Sequence, residues 1–241
     1  MPLLHGFFIA RGKPLDYPFS RVMPTATVEN YLKAIHQLAG DGERPVAIGK
    51  VASELEVTPG TATTMMKHLG GRGLVDYVPR RGVRLTAAGD EAALRVLRRH
   101  RLVELFLVEV LGLDWGDVHA EAEVLEHVIS DKLLARIDEM LGHPTADPHG
   151  APIPDAQGRM PEHAGASLAD AGPGRYQLLQ VSEDDGSLLA WLSDHGLRPG
   201  TRFDLLDHDR PAGILRLRID GADGVTSLGT SAAGHLLVQT I

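Results

Sequence analysis

Helical periodicity dominates the first part of the chain. Between Thr25 and Ala39, apolar residues recur every three or four positions, which predicts an amphipathic helix. Gly40–Pro45 breaks this pattern, and a short amphipathic helix is predicted over Ile48–Leu55. Pro59 follows a tight connection. Proline suits the first turn of a helix, because its missing N–H costs nothing there. The sequence therefore predicts a further helix over Gly60–Leu69.

The next segment predicts a β-hairpin followed by a long helix. Two short apolar runs, Leu74–Val78 and Val83–Leu85, flank the basic turn Pro79–Gly82, as is typical of two antiparallel strands. Thr86 is a suitable N-cap residue. A helix is predicted after it, over Ala87–Leu111.

The pattern changes twice in the second half. A helix is predicted to begin at Asp117 or His119 and to end near Leu141. Residues 142–174 are rich in Pro, Gly, Ala and His, which indicates a linker that is partly ordered at most. Residues 175–241 contain short apolar runs separated by Gly and Asp, which predict a small β-barrel of about five strands.

Composition excludes several classes of protein. Of the 241 residues, 43% are hydrophobic and 23% are charged, so the chain is not of the fully disordered class. It contains no apolar run of the ~18 residues that a membrane-spanning helix requires. It contains no cysteine, which excludes disulfides and thiolate metal ligands. Any metal site must therefore use ligands such as imidazole, carboxylate or amide oxygen.

Charge is divided unequally along the chain. The formal net charge is −8, but residues 1–101 carry +6 and residues 102–241 carry −14. A basic first part is suited to a polyanion, and an acidic second part is suited to cations. We therefore expect separate functions for the two parts.

The order helix, short turn, helix and basic hairpin is typical of a winged helix-turn-helix. A recognition helix needs small polar side chains that approach base edges, and a wing needs positive charge for phosphates. The alternative is a small helical domain whose threonines are only surface residues. We favour DNA binding, because threonine is a poor former of helix interiors and several in one helix need a reason. The candidate DNA-binding residues are Thr58, Thr61, Thr63, Thr64 and Lys67 in the helix, and Arg80, Arg81 and Arg84 in the hairpin.

Histidines and carboxylates recur at helical spacing further along the chain. His119, Glu123, Glu126 and His127 lie at i, i+4, i+7 and i+8, and so share one helix face. His100 and Glu104 repeat the i, i+4 spacing on the preceding helix. If the two helices pack antiparallel, the two sets meet, and up to two metal ions can be held.

The alternative to a metal site is a solvated acidic face with incidental histidines. We favour metal, because acidic faces are common but rarely contain three histidines at these spacings. Other histidines have no such partners and are interpreted as surface or structural residues. For the linker histidines His143, His149 and His163, adventitious metal binding is the alternative, and we favour a solvated linker.

Two segments resemble a known family. The run RRHRLVELFLVEVLGLDWGDVHAEAEVLEHVISDKL (Arg98–Leu133) is similar to the signature region of the diphtheria-toxin-repressor family of metal-dependent transcriptional repressors. VENYLKAIHQL (Val28–Leu38) resembles the first helix of that family. The resemblance implies a cytoplasmic homodimer that binds operator DNA when loaded with Mn(II) or Fe(II). By analogy alone, its target genes would be those for metal uptake.

The resemblance also implies a fold and domain boundaries. The expected fold is mainly α with small β parts. The expected domains are an N-terminal arm (1–24), a winged helix-turn-helix DNA-binding domain (25–95), a helical dimerisation and metal-binding domain (96–143), a linker (144–174) and an SH3-like β-barrel domain (175–241).

The resemblance assigns ligands to two metal sites. It implies a primary site of Glu123, Glu126 and His127 with Asn30 from the first helix. It implies a second site of His100, Glu104 and His119, to which Gln177 and Gln180 are possible accessory ligands.

The ligand types bear on the choice of metal. Iron-type members of the family have cysteine where this chain has Glu123, whereas manganese-type members have glutamate. A hard carboxylate suits Mn(II), so we expect Mn(II), with Fe(II) or another divalent transition metal as the alternative. On the first helix this chain departs from the manganese type, since Asn30 and Lys33 stand where acidic residues are usual.

Two rival functions remain at this stage. One is a dinuclear metal hydrolase in which the carboxylate–histidine set activates water. The chain offers no nucleophile motif or separate general base for it, so we expect no enzyme. The other is a winged-helix regulator whose acidic face is only structural.

Overall fold

The computed structural model describes residues 25–40, 44–161, 165–182 and 186–241. The predicted N-terminal arm and His163 lie outside these residues. Among the residues described, no helix combines the length and apolar character needed to span a membrane.

The first part is a three-helix unit with a two-stranded hairpin. Its elements are α1 (Ala26–Ala39), α2 (Ile48–Glu54), α3 (Pro59–Gly71), β1 (Val75–Val78) and β2 (Gly82–Leu85). The strands pair antiparallel, as the sequence predicts.

Side-chain caps fix where the helices of this unit begin. Thr25 accepts a hydrogen bond from the Val28 amide at the start of α1, and Thr58 accepts one from the Thr61 amide at the start of α3. One apolar core joins α1, α2, α3 and the hairpin, and it extends to Ala93 on the next helix. The unit is therefore packed onto the helical part of the chain.

Three helices follow the hairpin: α4 (Ala87–Glu109), α5 (Val118–Leu125) and α6 (Asp131–Met140). The prediction of one continuous helix up to Leu141 is wrong. Ser130 adopts an extended backbone conformation, and its side chain accepts a hydrogen bond from the Leu133 amide, so α6 begins anew after it.

The C-terminal part is a β-sheet with short helices. Its strands are antiparallel, with a register shift in β4 and another in β5. The elements are β3 (Ala166–Ser167), a 3₁₀ turn (Leu168–Asp170), β4 (Gly174–Val181), α7 (Gly186–Asp194), β5 (Arg202–Asp209), β6 (Ile214–Ile219), β7 (Thr226–Gly229), α8 (Thr230–Gly234) and β8 (Leu236–Thr240).

This sheet is open, which corrects the prediction of a closed barrel of about five strands. Its six strands have the order β3-β8-β4-β5-β6-β7, and the edge strands β3 and β7 do not pair with each other in the part of the chain described. The helix α8 follows β7 and packs beside the 3₁₀ turn after β3, so it lies where closure would occur.

The proline- and glycine-rich stretch after α6 is packed, contrary to the prediction of a partly ordered linker. Asp147, His149 and Ile153 are buried. Arg98 donates to the Pro154 carbonyl at 2.6 Å, and Arg101 donates to the Pro152 carbonyl. These side-chain hydrogen bonds hold the irregular backbone against α4.

Candidate metal centre

The helix α1 faces α5 with one buried basic residue. Lys33 is 6% exposed, and its Nζ lies 2.5 Å from Oε1 of Glu123 and 2.8 Å from Oε1 of Glu126. Glu126 is fully buried just after the end of α5, whereas the side chain of Glu123 is about one-third exposed. Lys33 thus balances two carboxylates that would otherwise repel each other.

The predicted primary ligands lie together. Donor atoms of Glu123, Glu126 and His127 fall within 4.8 Å of one another, and we call these three residues the primary cluster. Nδ1 of His127 lies 2.6 Å from Oε2 of Glu29 on α1. Its Nε2 is buried without a hydrogen bond, 3.3 Å from Oε1 of Glu126. The amide oxygen of Asn30 is likewise buried without a hydrogen-bond partner.

These donors fit a divalent cation. A histidine that donates through Nδ1 to a carboxylate presents the lone pair of Nε2 to a metal, which is the usual arrangement of a histidine ligand. The unsatisfied oxygen of Asn30 is a further neutral oxygen donor. Burial of such atoms without partners costs free energy, and a bound cation would remove that cost.

His100 on α4 connects the primary cluster to a second group of ligands. Its Nδ1 lies 2.6 Å from Oε2 of Glu126, and its Nε2 lies 3.0 Å from Oε1 of Glu104 and 3.2 Å from Nδ1 of His119. Burial acts to lower the pKa of His100, but the hydrogen bonds to Glu104 and Glu126 outweigh it and raise the pKa to about 9. His100 thus bridges two buried carboxylates, and its hydrogen bonds to them favour the protonated imidazole.

Glu104 lies at the centre of the second group. Burial opposes ionisation of its carboxyl, but hydrogen bonds from His100 and His119 hold its pKa well below the usual range. The predicted second set of His100, Glu104 and His119 is thus brought together by antiparallel α4 and α5, with His119 Nδ1 3.3 Å from Glu104 Oε1.

Two residues that the sequence analysis did not select also reach Glu104. Donor atoms of Glu104, Asp147 and His149 lie within 4.8 Å of one another, and all three residues are buried. Burial, followed by the charge of Glu104, raises the pKa of Asp147 to about 6. The prediction that His149 is solvated is wrong, because the turn around it packs between α4 and β4. The Asp-x-His spacing was the available signal.

The turn at His149 docks directly on the C-terminal sheet. The His149 carbonyl accepts a hydrogen bond from the Val181 amide at 2.8 Å. Gly150 has φ +85°, and a Cβ there would lie 1.9 Å from the carbonyl oxygen of Leu179. Only glycine allows this close approach.

The two glutamines predicted as accessory ligands lie in different places. Gln180 lines a cavity of ≈ 420 Å³ together with His100, Glu104, His119 and His149. Gln177 does not line it. Its side-chain amide donates to the Gly200 carbonyl and accepts from Gln239 on the sheet surface.

The candidate DNA-binding residues form an exposed surface. Thr58, Thr61, Thr64 and Lys67 are exposed along α3, and Thr63 is half-buried. The hydroxyls of Thr63 and Thr64 donate to the carbonyls of Pro59 and Gly60, one turn back, which leaves their oxygen lone pairs for an incoming donor. The candidate wing residues Arg80 and Arg81 are exposed in the turn between β1 and β2.

Comparison with known proteins matches this arrangement along the chain. A family model described as "Iron dependent repressor, N-terminal DNA binding domain" matches residues 23–83. One described as "Iron dependent repressor, metal binding and dimerisation domain" matches residues 86–155. A third, "FeoA domain", matches residues 166–240.

Similar proteins and structures agree with the family models. The iron-dependent repressor IdeR of Mycobacterium leprae is 33% identical over 213 residues, which cover 83% of this chain and 91% of that protein. A solved manganese-dependent transcriptional repressor in complex with manganese has a TM-score of 0.81 at 37% identity, covering 89% of this chain and 100% of that one. The manganese regulator SloR has a TM-score of 0.70 at 30% identity, covering 90% and 99%. Over nearly its whole described length, this chain therefore belongs to the diphtheria-toxin-repressor family of metal-dependent DNA-binding transcriptional repressors.

Proposed function

We propose that this protein is a manganese-responsive repressor that binds operator DNA as a homodimer. The observation that carries the proposal is the primary cluster, where Glu126 and His127 contact α1 of the DNA-binding unit through Lys33 and Glu29. Its ligand types are carboxylate, imidazole and amide oxygen, and the chain has no thiolate to offer. This donor set favours Mn(II), with Fe(II) as the alternative.

The primary cluster lies at the junction between the DNA-binding unit and the helices α4 to α6. In the proposed mechanism, these two parts are held at a fixed angle. A divalent cation, when bound, would supply the positive charge that holds Glu123, Glu126, His127 and Asn30 together. Asn30 is on α1, and the other three residues are on or just after α5. Fixing α1 against α5 sets the direction of α3, so that two copies of the protein fit two half-sites of DNA.

The second group of ligands supports a further site around Glu104. We propose that Glu104 is shared by His100 and His119 on one side and by Asp147 and His149 on the other. Because Asp147 and His149 lie on the turn that docks on β4, occupation of this site would strengthen the attachment of the C-terminal sheet.

An exposed apolar surface supports the homodimer. Val124 is 67% exposed and Val128 is 75% exposed, and Leu133 and Met140 on α6 are also exposed. Exposure of several large apolar side chains favours association with another surface. A second copy of this chain is the proposed occupant, since the family model that covers this region is named for dimerisation.

Gel-shift titration with the DNA upstream of the protein's own gene tests the proposal. We expect DNA binding to require a divalent metal, with Mn(II) effective at the lowest concentration. In Glu126→Gln we expect Mn(II) no longer to promote DNA binding. Glu121→Gln on the exposed side of α5 is the matched control and should behave like the wild type. Equal DNA binding with Mn(II) and with chelator would refute the proposal.

The regulatory consequence follows from the same mechanism. A repressor that binds DNA only when loaded suits genes for metal uptake, because uptake then stops when metal is plentiful. We propose a cytoplasmic location, where the operator DNA would also lie. The rival function as a hydrolase has no support, since the relatives are transcriptional repressors.

A further inference from the structure

We propose that Lys33 is a built-in competitor for the primary cluster, so that a divalent ion binds there only by displacing the ammonium group. This inference rests on the proposed metal response. The side chain of Lys33 is 8% exposed, and its Nζ reaches Glu123 at 2.5 Å and both oxygens of Glu126 at 2.8 and 3.0 Å. It thus holds both carboxylates of the primary cluster.

Charge balance makes the two occupants mutually exclusive. Lys33 and the two carboxylates together leave one negative charge, whereas a divalent ion with the two carboxylates is neutral. Adding the ion while Lys33 stays would place an uncompensated positive charge in a buried site, which is strongly unfavourable. The ammonium must therefore leave when the ion enters.

The surroundings allow this exchange. Glu29, the acidic residue of α1 beside the cluster, is already paired with Arg99 at 3.4 Å and with His127 at 2.6 Å. A displaced Lys33 would therefore turn to solvent and not to Glu29. The side chain of Glu123 is about one-third exposed, so the cluster borders solvent on that side, and a long flexible lysine can extend there.

The competition has a defined consequence for metal sensing. The cost of displacing Lys33 is the same for every divalent ion, so it weakens binding of all of them by one factor and leaves their ranking unchanged. Lys33 thereby raises the metal concentration at which the protein becomes loaded. In the metal-free protein the same ion pairs link α1 to α5 across 90 residues of sequence.

The test is a Mn(II) titration of the full-length protein, in which electron paramagnetic resonance measures the free ion. In Lys33→Met we expect the primary cluster to bind Mn(II) at least about tenfold more tightly, because no ammonium group then has to be displaced from the two carboxylates. Lys33→Arg keeps the charge and should stay near the wild type. Lys50→Met, on the exposed surface of α2, is the matched control. If Lys33→Met does not fold, Lys33→Gln serves in its place.

Amide exchange in the presence of chelator gives an independent readout. We expect α1 to exchange faster in Lys33→Met than in the wild type, and Mn(II) to restore its protection. Wild-type affinity in the charge-free variant, or weaker affinity, would overturn the proposal while leaving a Glu126-dependent metal response intact. If neither protein binds Mn(II) in a Glu126-dependent manner, the proposed function itself fails, and the competitor role with it.

Discussion

His149 and Trp115 join the metal-binding helices to the C-terminal sheet. Nε2 of His149 lies 2.8 Å from the main-chain oxygen of Trp115, and the two rings stack with their centroids 5.4 Å apart. Trp115 belongs to the loop between α4 and α5, yet its side chain is 1% exposed within the apolar core of the sheet. His149, which lies next to Glu104, therefore contacts the core of the C-terminal part through Trp115.

The docking of this turn can be disturbed at Gly150. In Gly150→Ala we expect weaker Mn(II) binding by the Glu104 group and a red shift of Trp115 fluorescence, because the new Cβ would overlap the Leu179 carbonyl. Binding by the primary cluster should be retained. The measurement is calorimetric titration together with emission spectra, in a Trp191→Phe background.

Gly158→Ala is the control for that variant. Gly158 also has positive φ, but its added Cβ would meet only the Leu94 side chain at 3.9 Å. Identical effects of both substitutions would attribute the result to backbone strain rather than to docking of the turn on β4.

Substitutions on α3 and in the hairpin turn should affect DNA binding differently. We expect Thr63→Ala with Thr64→Ala to weaken specific binding more than non-specific binding, because base edges carry the sequence information. Arg80→Ala with Arg81→Ala should weaken both and lower the salt dependence by a slope of about two, since two phosphate contacts are lost. Fluorescence anisotropy across a salt series measures both.

Arg210→Ala, an exposed arginine of the C-terminal part, is the control for the arginine pair. If the two threonines and the two arginines give the same salt slope and the same loss of specificity, the assignment of recognition helix and wing is wrong.

Residue 123 should set the preference among metals. In Glu123→Cys we expect the order of activating ions to move from Mn(II) toward softer ions such as Fe(II), Co(II) and Zn(II), because thiolate is a softer ligand than carboxylate. Metal-activated DNA binding across the series measures this. An unchanged order would show that residue 123 does not contact the metal.

The metal-free protein should lose stability as the pH rises above neutrality. The pKa of His100 rises from 6.5 to about 9 on folding, so its stabilising contribution is complete below pH 6.5 and disappears as the pH passes 9. The loss amounts to roughly 3 kcal/mol at most. Urea unfolding in chelator at pH 6 and pH 9.5 measures it.

The variant His100→Gln should flatten this decline, whereas His68→Gln, an exposed histidine of α3, should keep it. A decline of equal size in the His100 variant and in the wild type would place the titrating group elsewhere.

Local patterns in the sequence were sufficient for most of the helices. The apolar spacing over Val28–Leu38 and the caps at Thr58 and Thr86 act within one or two turns, so they define α1, α3 and α4 without help from the rest of the chain. The same holds for the hairpin, which needs only two short strands around a basic turn. The break at Ser130 was missed because the helical periodicity continues across it.

Part of the candidate metal centre could also be predicted from local spacing in the sequence. His100 with Glu104, and His119 with Glu123, are separated by one helical turn, so their spacing alone indicated shared faces. The absence of cysteine excluded thiolate, and this restricted the candidate metals before any fold was considered.

Tertiary structure decided what no spacing could. The convergence of Asp147 and His149 on Glu104 depends on how an irregular segment packs between α4 and β4, and the openness of the sheet depends on where α8 lies. Lys33 reaches Glu123 only because α1 packs near α5, although 90 residues separate the two in sequence. Side-chain periodicity reports the face that an element buries, but contacts between distant elements are fixed by the packing of the whole chain.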